Sequence, residues 1–211
     1  MPEFDHLILA VFALDDAADR VRRNHGWGAL PAGRHPGGTV NRIVPVGGQQ
    51  YLELVAVQEQ ASPAAAYVVQ RLHDGRPWCG WALRTDDVEG DAERLGLTLS
   101  EGSIENADGT TARWRYAGAD LIPSSSGALP FLVDYGTDRS ALWRERYVAA
   151  DHDRGRAPVG VAWLEVGTES GAVPAWLQGL DVELRVVASP SPGIVSVGIR
   201  TRSGVIVVPG A

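Results

Sequence analysis

The stretch Gly33–Val57, GRHPGGTVNRIVPVGGQQYLELVAV, constrains this chain most, because it sets a carboxylate in the middle of an apolar strand. A glycine- and proline-rich loop carrying Arg34 and His35 leads into two strand-like runs. They join at Gly47-Gly48, the pattern of a β-hairpin. Strand alternation puts Thr39, Asn41 and Ile43 on one face of the first run, and Tyr51, Glu53, Val55 and Val57 on one face of the second. Burying a carboxylate costs free energy unless it meets a partner, a metal or water. Glu53 therefore marks a polar site on a sheet.

The 211 residues suffice for one large domain or two compact halves. A net charge of −7 argues against nucleic acid or an anionic membrane as the main partner, since both call for a basic patch. All 19 cationic residues are arginine. The single cysteine, Cys79, allows no internal disulfide and reads as a small buried hydrophobe. The N-terminal apolar run lacks a preceding basic region, so it reads as a strand and not a signal peptide. No run reaches membrane-spanning length, and a cytoplasmic protein is the expectation.

Phe4–Val11 suits a buried strand, with His6 as a polar exception, and a helix follows to Gly26. After the hairpin, Ser62-Pro63 opens a second helix that stops at Gly75. A second round runs from Trp78: a strand, a helix capped by Asp87, then strands at TTARWRYAGAD and LPFLVDYG. ILAVFALDDAADRV and ALRTDDVEGDAERL share a strand, an acidic turn and an Ala/Arg helix, a weak internal repeat. A charge-rich, partly helical connector then leads to a third round, with a helix expected from Gly171 and a hairpin turning at Arg202-Ser203-Gly204. The order read is βαββ, βαββ, βαβββ. It predicts an α+β protein with largely antiparallel sheets and helices packed outside.

Four pieces in order carry a family resemblance: Asp5-His6-Leu7, the Gly33–Asn41 run, Tyr51-Leu52-Glu53-Leu54, and Pro130–Gly136. Together they resemble a glyoxalase-like domain of the vicinal oxygen chelate superfamily, over about the first 140 residues. The resemblance implies repeated βαβββ-type modules whose curved, largely antiparallel sheets form a cup. It divides the chain into paired modules at about 1–76 and 77–140, a connector at 141–157, and a further βαβββ-like module at 158–211. In metal-dependent members, inward strand residues hold one divalent ion, here the candidate cofactor. His6 matches the first-strand histidine ligand, and Glu53 lies where a carboxylate ligand fits. The repeat offers no second histidine near Gly80–Trp81 or Ala162–Trp163, so an iron triad of two histidines and a carboxylate is not visible. His35 or Asp134 would complete only a weaker set.

His6 is either a ligand or general base, or a core histidine bonded to the backbone. Glu53 is either its site partner or half of a structural ion pair with an arginine such as Arg113. Arg34 and His35 sit on a loop of the kind that closes over ligands, and Asn41 is placed to meet a substrate oxygen. Trp78, Trp81, Trp114 and Trp163 fall in strands, where they either line an apolar pocket or pack the core. Trp81 is the one carried forward as a substrate contact. Asp134 has the wrong parity for the cup and reads as structural. With no GxGxxG, phosphate loop, HExxH or GxSxG, no nucleotide cofactor is expected. Two functions follow. One is a lyase- or isomerase-type enzyme acting on a small oxygenated molecule through His6 and Glu53. The other is a sequestering protein with a Trp-lined pocket. A homodimer is the candidate assembly.

Overall fold

Two successive βαβββ units account for the first 134 residues of the chain. The computed structural model describes residues 2–60 and 62–209. The first unit comprises β1 (Glu3–Ala10), α1 (Leu14–His25), β2 (Leu30–Arg34), β3 (Thr39–Gly47) and β4 (Gln50–Val57). Gly26, at φ 73°, ends α1 in the left-handed conformation that glycine adopts freely. Helix α2 (Pro63–His73), capped by the Ser62 hydroxyl, links to the second unit. That unit holds β5 (Trp78–Arg84), α3 (Val88–Leu95), β6 (Leu99–Asn106), β7 (Thr111–Ala117), the short α4 (Leu121–Ser124) and β8 (Phe131–Asp134). The expected Asp87 cap on α3 is present and accepts the Gly90 N–H.

The eight strands close into a barrel in the order β1-β4-β3-β2-β6-β7-β8-β5. The repeat corresponds to this symmetry: β1 pairs β4 in parallel, as β5 pairs β8. Two antiparallel seams join the units, β1 to β5 and β2 to β6. Strands β2 and β6 are the two that the sequence pattern does not show. Pro31 and Gly33 disguise the first, and the polar LSEGSIEN of β6 lacks a β-former run. Their seam is only two residue pairs long, Gly33↔Asn106 and Arg34↔Glu105.

The outer barrel face is apolar and shares one core with the inner sides of α1 and α3. The same core takes in Val161, Leu164, Val166, Ile194, Val197 and Ile199 of a second sheet. That sheet consists of β9 (Pro158–Thr168), β10 (Glu183–Ala188), β11 (Gly193–Thr201) and β12 (Gly204–Pro209), ordered β10-β9-β11-β12. It does not repeat the barrel units. Its first two strands pair in parallel, and the helix expected from Gly171 is a single 3₁₀ turn at Ala175–Leu177. Pro174, extended at ψ 144°, and Gly179, at φ 80°, confine that turn.

Helix α5 (Ser140–Ala149) gives the expected solvated connector a structural role. Its Trp143 is fully buried among Ile43, Tyr51 and Ile104, and stacks on Tyr51 at 4.7 Å. Helix α2 sets Val68 and Leu72 against Ala10 and Val55. Along β4, Tyr51 and Val55 flank Glu53, so α5 and α2 pack on either side of it. Helices α1 and α3, with the second sheet, lie against the outer face. The chain after α5 returns to the α1–β2 loop, where Gly26 O accepts the Asp153 N–H and His152 Nδ1 accepts the Gly28 N–H at 3.1 Å.

Two outcomes follow. A Cβ built on Gly33 would overlap the Glu105 carbonyl oxygen, which is backbone and cannot step aside. Gly33→Ala is therefore expected to cost about 2 kcal/mol or more in urea denaturation. Gly48→Ala, at φ 57° with open space around it, is expected to cost only about 1 kcal/mol. Burial also pushes the His152 imidazole down from 6.5 to about 4. The unfolded chain then takes up a proton that the folded chain refuses. This contribution is complete above pH 6.5 and is lost as pH falls towards 4. His152→Asn, which keeps an acceptor for Gly28, should flatten the loss of stability across that window.

Candidate functional site

Glu53 stands at the middle of β4 on the inner barrel face, 7% exposed. Asn41 on neighbouring β3 holds it: Nδ2 donates to Glu53 Oε1 at 2.5 Å, while Asn41 Oδ1 accepts the Gly33 N–H at 2.9 Å. Both ends of the amide are thus occupied by the protein, and Asn41 orients the carboxylate. His6 on β1 brings Nε2 to 3.7 Å from Glu53 Oε2. His35, at the turn before β3, brings Nε2 to 3.9 Å from Oε1. Both separations exceed hydrogen-bond length, so these are coulombic contacts across a gap. Arg113 is exposed on β7 and plays no part.

Each imidazole is anchored from behind. His35 Nδ1 meets the Thr39 hydroxyl at 2.9 Å. His6 Nδ1 meets Asp5 Oδ2 at 2.8 Å, and Asp5 is wholly buried. Asp5 also accepts from Arg84 Nη1 at 3.2 Å and from the Tyr135 hydroxyl at 2.8 Å. An ionised carboxylate only accepts, so Nδ1 of His6 carries a hydrogen and Nε2 faces Glu53. The Nε2 edge of His6 and the Oε2 oxygen of Glu53 thus face each other across a 3.7 Å gap. The Tyr51 and Tyr135 hydroxyls touch at 3.2 Å, and burial pushes both well above their usual pKa, leaving them neutral donors.

Aromatic rings surround this polar line. His6 stacks on Tyr51 at 4.5 Å, which stacks on Trp143, and Phe131 meets His6 edge-on at 5.6 Å. Trp114 sits edge-on to His35 at 6.3 Å. Its indole lies flat over Gly102 of β6, where any Cβ would overlap it. The His35 side chain, at 23% exposure, is the most open of the group, so the rim lies at the 35–38 turn. Ser62 at the head of α2 pins that turn through the Gly37 carbonyl at 2.7 Å.

The structure thus brings together His6, Glu53, Asn41 and His35. It does not bring Arg34 or Trp81. Arg34 is exposed and pairs with Val40, on the outer face. Trp81 faces outward, fully buried, stacked on Phe4 at 6.1 Å with its N–H on the Ala128 carbonyl. Ala82, opposite His6, takes the inward place beside it. A bulge at Cys79–Gly80 sets Trp78 outward as well. Cys79 is buried, its thiol pushed up to about 12. Asp134 faces Arg115 at 3.0 Å, the structural role its parity implies. Alternation along β1 should send Asp5 away from His6. A register shift in β1 between Phe4 and His6 lets the two adjacent side chains meet.

The sequence profile of the glyoxalase-like domain family matches residues 4–180. The chain belongs to this family. The glyoxalase-like match runs beyond the 140 residues in which the sequence motifs lie, taking in α5 and β9. No curated protein matches the sequence. Among solved structures, a hypothetical protein from Staphylococcus aureus superposes with a TM-score of 0.67 at 12% identity, covering 98% of each chain. It shares the fold, second sheet included. A Streptomyces coelicolor methylmalonyl-CoA epimerase variant in complex with 2-nitronate-propionyl-CoA gives 0.49 at 18% identity, over 64% of this chain and 98% of its own. The epimerase from Mycobacterium tuberculosis gives 0.47 at 19%, over 66% and 91%.

Superfamily relatives commonly hold a divalent ion, which needs at least three converging protein donors in a typical catalytic site. Among the described residues, no group of three His, Cys, Asp or Glu side chains is placed to hold one. His6 Nε2 and Glu53 Oε2 supply two donors. The other Glu53 oxygen is taken by Asn41. This donor set does not fit a divalent ion. No helix among the described residues is long and apolar enough to cross a membrane.

Neutralising Asp5 would leave the Arg84 guanidinium with Glu3 as its remaining acidic partner and take the charged acceptor away from His6 Nδ1. Asp5→Asn is expected to cost about 3 kcal/mol or more, against about 1 kcal/mol for Tyr135→Phe, by chemical denaturation.

Proposed function

We propose that this glyoxalase-like barrel catalyses isomerase-type proton transfer on a small oxygenated molecule, with Glu53 as the base. The observation that carries this reading is a buried carboxylate on the inner face, held at one oxygen by Asn41 and faced at the other by an anchored histidine. Asn41 fixes Oε1, so Oε2 is the oxygen left to accept a proton. The reacting C–H bond lies next to a carbonyl. Its proton passes to Glu53 Oε2 and its electron pair to the carbonyl oxygen. Return of a proton to carbon gives the isomer. His6, oriented by Asp5, shares the proton with Glu53 between the two halves of the reaction.

His35 suits the developing enolate oxygen. Thr39 can donate to its Nδ1, leaving Nε2–H directed inward as the electrophilic partner. Phe131, Tyr116 and Trp114 offer apolar contact to the carbon skeleton. Trp143 and Tyr51 on one side of Glu53, and α2 on the other, exclude water. Entry therefore requires movement at the 35–38 rim, the most exposed part of the site.

A second reading keeps the cup and drops the chemistry: an aromatic-lined protein that sequesters a planar compound. The Trp143–Tyr51–His6 stack favours it. Of the four strand tryptophans, however, only Trp114 faces the interior. One experiment separates the two readings. Purified protein is incubated in D2O with a panel of small α-hydroxy carbonyl and 2-substituted 1,3-dicarbonyl compounds, and proton NMR follows exchange at the activated carbon. The enzyme reading expects exchange that falls about 100-fold or more in a folded Glu53→Gln variant. Exchange equally fast in Glu53→Gln, or none with any compound, sinks it. Tryptophan quenching without exchange supports sequestration.

A further inference from the structure

A cleft of about 470 Å³ lies away from the barrel interior, where the barrel, α5 and the second sheet meet. The Gly47–Gln50 turn, the first turns of α5 and the start of β9 wall it. Three of the chain's arginines, Arg84, Arg144 and Arg200, line it, in a protein whose net charge is −7. We propose that this cleft binds a small anionic molecule through a phosphate or clustered carboxylates, with Arg144 and Arg200 as the charged donors.

Of the two acidic residues of the cleft, one is ion-paired and the other is hydrogen-bonded to backbone. Glu3 pairs with Arg84. Asp181 Oδ1 accepts the Phe4 N–H at 2.7 Å. Arg84 is likewise committed, to Glu3 and to Asp5. Arg144 and Arg200 have no acidic partner within ion-pair distance among the described residues. Their guanidinium forks match oxyanions in geometry as well as charge.

Neutral donors complete the lining. Gln50 Oε1 accepts the Val161 N–H at 2.8 Å, which turns its Nε2 into a free donor. Gln49 is held to Ser140 at 3.1 Å. Ser140 and Arg144, four residues apart on α5, share one helix face and both line the cleft. The volume suits a small molecule and not a macromolecular partner. The β3–β4 turn passes close to Val159 and Gly160 at Gly47, where a Cβ would press on that backbone. This inference does not rest on the reading of the barrel interior, since neither His6 nor Glu53 lines the cleft.

Isothermal titration at low ionic strength tests it, with inorganic pyrophosphate and tricarballylate as probes. The expected result is saturable binding of at least one probe, weakened at least tenfold in an Arg144→Gln/Arg200→Gln double variant. Both residues are exposed, so that variant should keep its thermal midpoint. An Arg20→Gln/Arg113→Gln variant, with the same charge change elsewhere on the surface, should bind as the parent does. Pyrophosphate preference identifies a phosphorylated ligand, and tricarballylate preference a polycarboxylate. The proposal is overturned if neither probe binds saturably, or if both double variants weaken binding equally.

Discussion

Two carboxylates buried within one sheet wall set the terms for the rest of this structure. Asp5 and Glu53 lie on neighbouring strands, each nearly cut off from solvent. Left alone they would be ruinous to the fold, since an ionised group loses its hydration on burial. Here they are joined by an imidazole, with Arg84 and Tyr135 behind Asp5 and Asn41 behind Glu53. Buried charge persists when its remaining acceptor sites are satisfied. The arrangement fixes the orientation of His6 and leaves one Glu53 oxygen without a hydrogen bond.

That polar line needs a dry, stiff surround, and the barrel supplies it in an uneven way. Long seams such as β3–β4 hold the wall beside Glu53. The β2–β6 closure is two pairs long and depends on Gly33, whose lack of a side chain admits the Glu105 carbonyl. The same Gly33 donates the N–H that orients Asn41. Closure of the barrel and orientation of the carboxylate therefore share one residue. The second sheet and α1 cover the outer face, while α5 and α2 bracket the inner one, so the chain beyond the first 140 residues takes part in enclosing the site.

Much of the inner face is legible in the order of residues alone. The hairpin at Gly47-Gly48 and simple alternation place Asn41 and Glu53 on one face, and the Asp5-His6-Leu7 motif brings His6 beside them. His35, on the turn that enters the hairpin, follows from the same stretch. The positions of Asp5 and Trp81 are not legible: a register shift in β1 turns Asp5 towards His6, and pairing with β1 sets Ala82 opposite His6 and so turns Trp81 outward. Arg34 falls on the outer face, against expectation, because its proline and glycine hide β2. Trp143 sits in a charge-rich helix that reads as solvated, and only its long-range stacking on Tyr51 shows that it plugs the interior.

Local chain chemistry was enough to determine the pieces: two βα repeats, a hairpin with an inward carboxylate, a histidine on the first strand, and the family to which they belong. Tertiary pairing was needed to decide that eight strands close on one another and that Asp5 stands behind His6. It also decided that Arg34 and Trp81 face away from the site, and that three arginines gather at the junction with the second sheet. Alternation is a property of neighbours along the chain, set by backbone geometry alone. Closure, bulges and the gathering of charge depend on pairings between residues far apart in sequence. No short window of residues contains them.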